Sequence, residues 1–228
     1  LLQPIADGIK LLFKEDIIPE KASKLLFVLA PIMTVVPALI TFAIIPFGDR
    51  VKIFGYNVDL VITDINVGFL YIFAVSSLGI YGIVMAGWAS NNKYSLLGGI
   101  RATAQMISYE LPLGLSLIGV VMLTESLSLV DVVNGQAKLW NILLQPIGFF
   151  IYCTSAFAEV NRCPFDIPEA ESELVAGYHT EYSSMKFATF FMAEYANMIT
   201  VSAIAVTFFL GGWHGPFLPP MVWFMLKL

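Results

Sequence analysis

Three glutamates lie inside long apolar stretches of this sequence, each in a different stretch. An ionisable side chain within a membrane span costs at least about 2.5–3.5 kcal/mol on insertion scales, so each is a functional candidate by default. Burial favours the protonated form of a carboxyl, which can then pass its proton to a neighbouring group. The chemistry that these residues indicate is proton relay. They are Glu110, Glu159 and Glu194.

A second group of acids lies in the segment from 161 to 186, between two of the apolar stretches. One interpretation is structural: Asp166-Ile-Pro-Glu169 has the pattern of a helix-capping box, with Pro in the first turn. Capping does not explain the other acids, because Glu169 and Glu173 are like charges four residues apart. The segment contains Asp166, Glu169, Glu171, Glu173 and Glu181 against Arg162 and Lys186.

Structural interpretations also exist for the glutamates within the apolar stretches. Glu159 and Arg162 are three residues apart, so they can form a local ion pair on one helical face. Glu194 has only Asn197 as an evident polar neighbour in its helix. One buried glutamate can be a satisfied hydrogen-bond donor. Three of them in separate stretches, next to an acidic loop, favour a path for protons.

Membrane-spanning helices are predicted to carry these residues. Residues of the hydrophobic set make up 58% of the 228 positions, charged residues only 13%, and the mean hydropathy is +0.80. A spanning helix needs roughly 20 predominantly apolar residues. We therefore predict an all-α integral membrane protein, a polytopic helix bundle forming one domain over 1–228. About five full spans are expected near 25–46, 67–89, 102–124, 141–160 and 187–210, with a truncated sixth at 219–228.

Residues 1–24 show a different pattern, which predicts an amphipathic helix lying in the membrane interface. Ile5, Ile9, Leu12 and Phe13 recur at helical spacing with charged residues between them, and Pro19 would end the helix. Composition alone favours a simple anchoring role for this helix.

The distribution of Lys and Arg among the short loops predicts the orientation. Alternate sides of the membrane hold eight and three of these residues, so the larger set belongs to the cytoplasm or matrix. The larger set is Lys10, Lys14, Lys21, Lys24, Lys93, Arg101, Arg162 and Lys186, and the smaller is Arg50, Lys52 and Lys138.

Several function classes are excluded by what the sequence contains. The net charge of −5 and the absence of a basic run argue against nucleic-acid binding. Cys153 and Cys163 form no C-x-x-C pair, and His179 and His214 lack metal-ligand spacing, so no metal site is predicted. No phosphate-binding loop or dinucleotide fingerprint occurs. We expect no redox cofactor on this chain.

The motifs resemble those of a known family. The string EVNRCPFDIPEAESELVAGYHTEYSSMKFATFFMAEYANM, from Glu159 to Met198, resembles the signature of the membrane quinone-site subunit of respiratory complex I, called the H subunit in bacteria and chain 1 in mitochondria. Further blocks in the same order are QPIADGIKLLFKEDIIP (Gln3–Pro19), INVGFLYIFAVSSLGIYGIVMAGWASNNKY (Ile65–Tyr94) and RATAQMISYELPL (Arg101–Leu113). The resemblance covers essentially the whole chain.

The resemblance implies a fold and a set of functional residues. The family has eight helices, of which this sequence matches the part from the interfacial helix to the start of the seventh span. Since it also lacks an initial Met, we expect it to be part of a longer chain. In the family the interfacial helix forms a wall of the quinone entrance, and the resemblance assigns Ile9, Leu12 and Phe13 to that wall. Arg162, Asp166, Glu169, Glu171 and Glu173 belong to the coupling loop of the quinone chamber. Glu110, Glu159 and Glu194 belong to the proton path, with Tyr195 and Arg101 nearby.

The implied function is that of a subunit in a proton-pumping NADH:quinone oxidoreductase, a translocase. Its substrate is a quinone such as ubiquinone, and FMN and iron–sulfur clusters lie on partner subunits. The implied partners are the iron–sulfur connecting subunits, the small membrane subunits next to the antiporter-like ones, and the lipid bilayer. The location would be the bacterial cytoplasmic membrane, or the mitochondrial inner membrane if the chain is organellar.

Two alternatives remain open from the sequence. The chain also fits a homologous subunit of a ferredoxin- or deazaflavin-linked reductase, or of a membrane-bound hydrogenase. A stand-alone secondary transporter is more distant, because the inverted repeats with paired broken helices that are frequent in transporters are absent from the sequence.

Overall fold

The computed structural model describes residues 3–53, 56–166 and 174–228, and most of these residues are helical. The order of the hydrophobic stretches along the sequence is preserved in the order of the helices. The helices in the described part are α1 (Gln3–Phe13), α2 (Lys24–Thr41), α3 (Gly68–Ala89), α4 (Lys93–Thr124), α5 (Leu129–Gly135), α6 (Asn141–Leu144), α7 (Pro146–Glu159), α8 (Ser184–Phe208) and α9 (Pro220–Lys227).

Among the described residues, four helices are long and apolar enough to cross a membrane: α2, α3, α4 and α8. They contain between 18 and 32 residues, and roughly 20 residues suffice for the hydrocarbon core. The helical membrane class predicted from the sequence is confirmed. Four of the predicted spans coincide with these helices, with bounds that differ by up to nine residues.

The span predicted at 141–160 consists of two helices, α6 and α7, and its crossing of the membrane stays a prediction. The helix is interrupted at Gln145, which separates the four residues of α6 from the 14 residues of α7. Pro146 disfavours a helical conformation in the residue before it and has no N–H to donate, and Gln145 has φ −134° and ψ 62°. Helix α9, of eight residues, lies within the truncated sixth span predicted at 219–228, which stays a prediction as a membrane span.

Helix α4 begins nine residues earlier than the predicted span, and its start explains the difference. The Asn92 side chain accepts a hydrogen bond from the backbone N–H of Tyr94 at 2.9 Å, as a helix-capping residue does. The helix then continues for 32 residues through Pro112. It therefore carries both Arg101 and Glu110.

One departure from an all-helical chain occurs in the described residues between α2 and α3. Strands β1 (Arg50–Ile53) and β2 (Tyr56–Asp59) pair antiparallel, with Val51 opposite Val58. Val and Ile alternate with polar residues in β1, which is the period of a strand. The hairpin was not predicted from the sequence, because its strands are short and lie in the polar loop between two predicted spans.

Contacts within the chain define two compact units. The first comprises Leu1–Leu39, Ser76–Ser108 and Phe157–Asn197. Its core includes Phe27 and Tyr182, whose rings stack with centroids 4.0 Å apart. Gly82 of α3 lies so close to α2 that a Cβ there would come within 2.9 Å of the Ala30 carbonyl oxygen. Small residues thus allow close helix packing, as is usual in membrane bundles.

The second unit comprises Ile40–Val75, Tyr109–Ala156 and Met198–Leu228. Its apolar core includes Leu117, Phe208 and Phe209, all essentially inaccessible to solvent. Lys227 binds the backbone just after α8: its ammonium donates to the carbonyls of Leu210 at 2.7 Å and Gly212 at 2.9 Å. The single-domain organisation expected from the sequence stays a prediction.

Candidate functional site

The most informative contact of the site joins Tyr178 to Glu194. The Tyr178 hydroxyl donates a hydrogen bond of 2.9 Å to the Glu194 carboxylate. Tyr178 is buried and belongs to the short 3₁₀ turn Gly177–His179, while Glu194 is half-buried within α8. The bond therefore joins the acidic 161–186 segment, in which the turn lies, to an ionisable group inside a candidate membrane span.

The turn beside Glu194 also holds a neutral histidine. His179 is 6% exposed, and its ring packs edge-on against Tyr178, Phe187 and Phe191, with centroids 5.0 to 5.7 Å away. Burial lowers the pKa of His179 to about 4, so the imidazole is uncharged at neutral pH. Its Nδ1 has no hydrogen-bond partner within the described residues. The sequence analysis found no metal-ligand spacing for this histidine, and in the structure its ring is packed among aromatic side chains.

Arg162 and Tyr195, two residues predicted for the site, lie together. The Arg162 guanidinium carbon is 5.3 Å from the centre of the Tyr195 ring. At this distance a cation is attracted to the face of an aromatic ring. Tyr195 follows Glu194 in α8. The interaction therefore places the positive charge of Arg162 beside the helix that carries Glu194.

A glutamine of α4 holds the start of the acidic stretch. The Gln105 amide nitrogen is within hydrogen-bond distance of the Ala158 carbonyl at 2.8 Å, the Asn161 side chain at 3.1 Å and the Phe165 carbonyl at 2.7 Å. Ala158 lies in the last turn of α7, and Asn161 and Phe165 lie at the start of the acidic segment. Gln105 therefore fixes the backbone that connects two predicted site residues, Glu159 and Asp166.

The α3–α4 connection is tied to the far end of the acidic stretch. The Asn92 side-chain amide donates to the Glu181 carboxylate at 2.6 Å. Asn92 also caps α4, so one side chain fixes both the helix start and the segment around Glu181. Close packing adds to this link, since a Cβ on Gly98 of α4 would lie 2.6 Å from the Gly177 Cα.

Helix α1 is fastened to the beginning of α8. An ion pair joins Lys186 of α8 to Asp16, which lies just after α1; the Lys186 side chain is 15% and the Asp16 side chain 47% exposed. The predicted entrance residues are exposed: Ile9 50%, Leu12 62% and Phe13 86%. The contacts are Lys186 Nζ to Asp16 at 2.7 Å, Ser183 Oγ to the Glu15 carbonyl at 3.1 Å, the Ile17 N–H to Ser183 Oγ at 3.1 Å and Ser184 Oγ to the Leu11 carbonyl at 3.2 Å.

The remaining predicted residues are distributed as follows. Glu159 is half-buried at the end of α7, Asp166 is exposed, and Arg101 is exposed on α4. Glu110 is half-buried on α4, in the second unit. Glu169, Glu171 and Glu173 lie outside the described residues. In the part of the chain that is described, no group of three His, Cys, Asp or Glu side chains is arranged to hold a metal ion.

Sequence reasoning missed Tyr178, Gln105 and Asn92. Tyr178 is 16 residues from Glu194, and Gln105 is more than 50 residues from the carbonyls that it binds. Sequence separations this large do not correspond to the helical or strand periodicity from which contacts can be predicted. Only Asn92 carried a local signal, because Asn directly before an apolar helical stretch is a capping residue.

Known proteins similar to this chain agree with the motifs. The family model described as NADH dehydrogenase matches residues 1–228. The H subunit 2 of NADH-quinone oxidoreductase from Geobacter metallireducens is 58% identical, over 100% of this chain and 70% of that protein. The H subunit 1 from Geobacter sulfurreducens is 57% identical, with 100% and 69% covered. The H subunit 2 from Rhizobium meliloti is 52% identical, with 100% and 70% covered.

Matches of this extent span every described element, from α1 to α9, as well as the acidic segment and the buried glutamates. The chain therefore belongs to the family of the NADH-quinone oxidoreductase H subunit.

Proposed function

We propose that this chain forms part of the quinone chamber of a proton-pumping NADH:quinone oxidoreductase and the first part of the carboxylate path that couples quinone reduction to proton translocation. The observation that carries the proposal is the hydrogen bond from Tyr178 to Glu194. It gives a direct link from the loop side of the site to an ionisable group within a candidate span. A purely structural helix has no need of such a carboxyl, given its cost in lipid.

The quinone entrance is assigned to α1. Ile9, Leu12 and Phe13 present an apolar surface that suits an isoprenoid tail arriving from the bilayer. The ion pair between Lys186 and Asp16 and the neighbouring hydrogen bonds hold this surface against the start of α8. Helix α8 carries Glu194, so the entrance helix is held against the start of the helix that carries this half-buried acid.

Coupling is assigned to a change of charge beside the acidic segment. Reduction of a quinone to a quinol takes up electrons and protons in equal number, and the protons must come from nearby groups. Asp166 and the neighbouring glutamates exchange those protons, with Arg162 stabilising their charged forms. The changed charge then biases Glu159, Glu194 and Glu110, because an interaction between ionisable groups acts in both directions.

Electrons reach the quinone from partner subunits, to which we assign FMN and the iron–sulfur clusters. The partners are the iron–sulfur connecting subunits and the small membrane subunits beside the antiporter-like ones. The complex is assigned to the cytoplasmic membrane of a bacterium, since the similar proteins from Geobacter and Rhizobium are bacterial.

The deciding experiment replaces Glu194 by Gln in the intact complex. Gln preserves size and hydrogen bonding but cannot release a proton. Complexes in sealed vesicles are assayed for protons moved per quinone reduced. The variant should assemble, and both its quinone reduction and its pumping should fall on the order of a hundredfold, as for loss of a required proton-transfer group.

Glu125→Gln is the matched control, because Glu125 is an exposed acid in the loop after α4. It should leave the rate and the proton ratio unchanged. An assembled Glu194→Gln complex with wild-type rate and ratio would remove Glu194 from the path. A photoreactive quinone analogue tests the chamber separately, since it should label peptides of α1 and of residues 161–166.

A further inference from the structure

Helix α7 ends in a motif that turns the chain sharply at Asn161. The Arg162 N–H donates to the Phe157 carbonyl at 3.1 Å, and the Asn161 N–H donates to the Ala158 carbonyl at 3.3 Å. This pair of bonds is the Schellman motif of a helix C-terminus. Asn161 occupies its left-handed position with φ 49°, a conformation that asparagine adopts more readily than most residues other than glycine. Arg162 is therefore the residue at which the chain leaves the helix.

A second turn follows directly. The Phe165 N–H donates to the Arg162 carbonyl at 2.7 Å, which closes a four-residue turn from Arg162 to Phe165. Both the N–H and the carbonyl of Arg162 are thus bonded within the segment. These bonds set the local shape of the two turns, but only a residue outside the segment can fix where the turns lie relative to the neighbouring helices.

Gln105 of α4 is such a residue, and it contacts both turns. Its side-chain amide nitrogen lies 2.8 Å from the Ala158 carbonyl and 3.1 Å from the Asn161 side-chain oxygen, in the first turn. It also lies 2.7 Å from the Phe165 carbonyl, which ends the second turn. Gln105 is half-buried and Asn161 is 8% exposed, so water does not readily replace these hydrogen bonds. Arg162 lies in the sequence between the acceptors that Gln105 holds.

The two turns carry the Arg162 side chain to α8. Its guanidinium carbon is 5.3 Å from the centre of the Tyr195 ring, and Glu194 precedes Tyr195 in the helix. Arginine has a long side chain that loses much rotamer freedom when it is held in one place. Functional side chains depend on supporting contacts for this reason, since a displacement of about 1 Å is enough to impair them.

We propose that Gln105 is a positioning residue for Arg162: by binding the turns on both sides of it, Gln105 holds the guanidinium at the face of Tyr195, beside Glu194. The inference rests on the proposed function, in which Arg162 stabilises the charged forms of the acidic segment. Gln105 itself contacts neither quinone nor a transferred proton. A neutral amide suits this role, because it donates hydrogen bonds without adding a charge that would compete with Arg162 for the acids.

The first test compares two activities of the intact complex that contains Gln105→Leu, which removes the amide at similar side-chain volume. Quinone reduction should fall roughly threefold, as for loss of one ordinary hydrogen bond, and by no more than in Arg162→Ala. Electron transfer to an artificial acceptor, normalised to the amount of complex, should stay unchanged. A parallel loss of both activities would show a merely structural role and overturn the proposal.

The double variant Gln105→Leu/Arg162→Ala tests whether the two residues act together. If Gln105 acts through Arg162, the double variant should reduce quinone no more slowly than Arg162→Ala alone. Independent effects would multiply, so a further threefold loss in the double variant would contradict the proposed positioning of Arg162.

Amide hydrogen exchange of the intact complex separates failure of this inference from failure of the proposed function. The N–H groups of Asn161, Arg162 and Phe165 exchange when the two turns open. The peptide 157–166 should exchange roughly threefold faster in Gln105→Leu than in the wild type. Unchanged exchange would refute the anchoring by Gln105, whatever the activity of Arg162→Ala. Faster exchange together with a fully active Arg162→Ala would instead refute the role of Arg162 in the proposed function.

Thr103→Val is the matched control for both measurements. Thr103 is also half-buried on α4, but its hydroxyl donates to the Gly99 carbonyl of the same helix at 2.7 Å. The control should retain wild-type quinone reduction and wild-type exchange of the peptide 157–166. Equal changes in Thr103→Val and Gln105→Leu would show a general disturbance of α4 and overturn the specific role of Gln105.

Discussion

The hydroxyl of Tyr178 and the carboxylate of Glu194 are 2.9 Å apart, and this hydrogen bond crosses from a loop to the interior of α8. Hydrogen bonds to charged or ionisable groups contribute more than neutral ones, about 1.5–3 kcal/mol. The hydrogen bond therefore ties the Glu194 carboxylate to the Gly177–His179 turn. The turn belongs to the acidic 161–186 segment, so the hydrogen bond connects this segment directly to Glu194.

Tyr178→Phe should lower quinone reductase activity on the order of tenfold while the complex still assembles. The change removes the donor to Glu194 and retains the ring that packs on Phe190. A loss of about 1.4 kcal/mol corresponds to a tenfold change in rate. The measurement is quinone-dependent NADH oxidation in membranes, normalised to the amount of complex.

Tyr182→Phe provides the matched control for this change. Tyr182 is also buried and also packs on Phe190, but its hydroxyl has no hydrogen-bond partner among the described residues. It should retain wild-type activity. Equal losses in both variants would show that the effect comes from packing and not from the hydrogen bond to Glu194.

Arg162→Ala should impair quinone reduction severalfold and leave electron transfer to an artificial acceptor unchanged. The variant removes the cation that lies over Tyr195 and precedes the acidic segment. Lys138→Ala, at an exposed cation of the second unit, should alter neither assay. The ratio of the two activities is the readout, and parallel losses for Arg162→Ala would indicate an assembly role.

Gly98→Ala should reduce the amount of assembled complex. The added Cβ would lie 2.6 Å from Gly177 Cα, and overpacking of this kind costs about 1–3 kcal/mol. Gly79→Ala is the control, since nothing lies within 4 Å of its Cβ position. Gly79→Ala should be neutral or slightly stabilising, because Ala favours a helix. Native gel electrophoresis of membranes measures both, and equal yields would contradict the close approach.

His179 should make the complex less stable at acidic pH. The pKa of His179 is lowered to about 4 by burial, whereas an unfolded histidine titrates near 6.5. Between these values the unfolded chain binds more protons, so stability declines as pH falls from about 6.5 towards 4. The loss is at most about 3 kcal/mol and is absent above about pH 7.

His179→Gln tests this by comparison of thermal inactivation midpoints at about pH 7.5 and about pH 5. The wild-type complex should lose more stability than the variant on acidification. An identical pH dependence of the two would show that His179 is not buried in its neutral form.

The sequence located four long helices well because hydropathy over about 20 residues is a local property. Proline shows the limit of this reasoning: Pro31 and Pro37 lie within the continuous α2, whereas Pro146 follows a break in the helix. The outcome depends on neighbouring helices that satisfy the backbone, and a single sequence does not contain that information. The hairpin at Arg50–Asp59 was not predicted for a different reason: its strands are only four residues long, too short for a clear alternating pattern.

The site was predicted as a set of residue types and not as a set of contacts. Arg162 and Tyr195 were both identified through the motif, but their approach to 5.3 Å is a result of the fold. Tyr178 and Gln105 bind partners distant in sequence, so no spacing rule reaches them. The acids can be identified from the sequence because burying an ionisable side chain in a membrane span costs free energy. The neutral residues that contact them carry no such cost and cannot be identified in this way.

The Gln105 side-chain amide has fewer hydrogens than it has acceptors around it. Its nitrogen carries two hydrogens and faces three oxygens, on Ala158, Asn161 and Phe165. At any moment, therefore, the two hydrogens can be shared among the three oxygens in more than one pattern, with the heavy atoms in the same positions. The segment between Glu159 and Asp166 can redistribute its hydrogen bonds when nearby charges change, without losing its contact with α4. In each of these patterns the Gln105 amide nitrogen remains the donor, and only the acceptor changes.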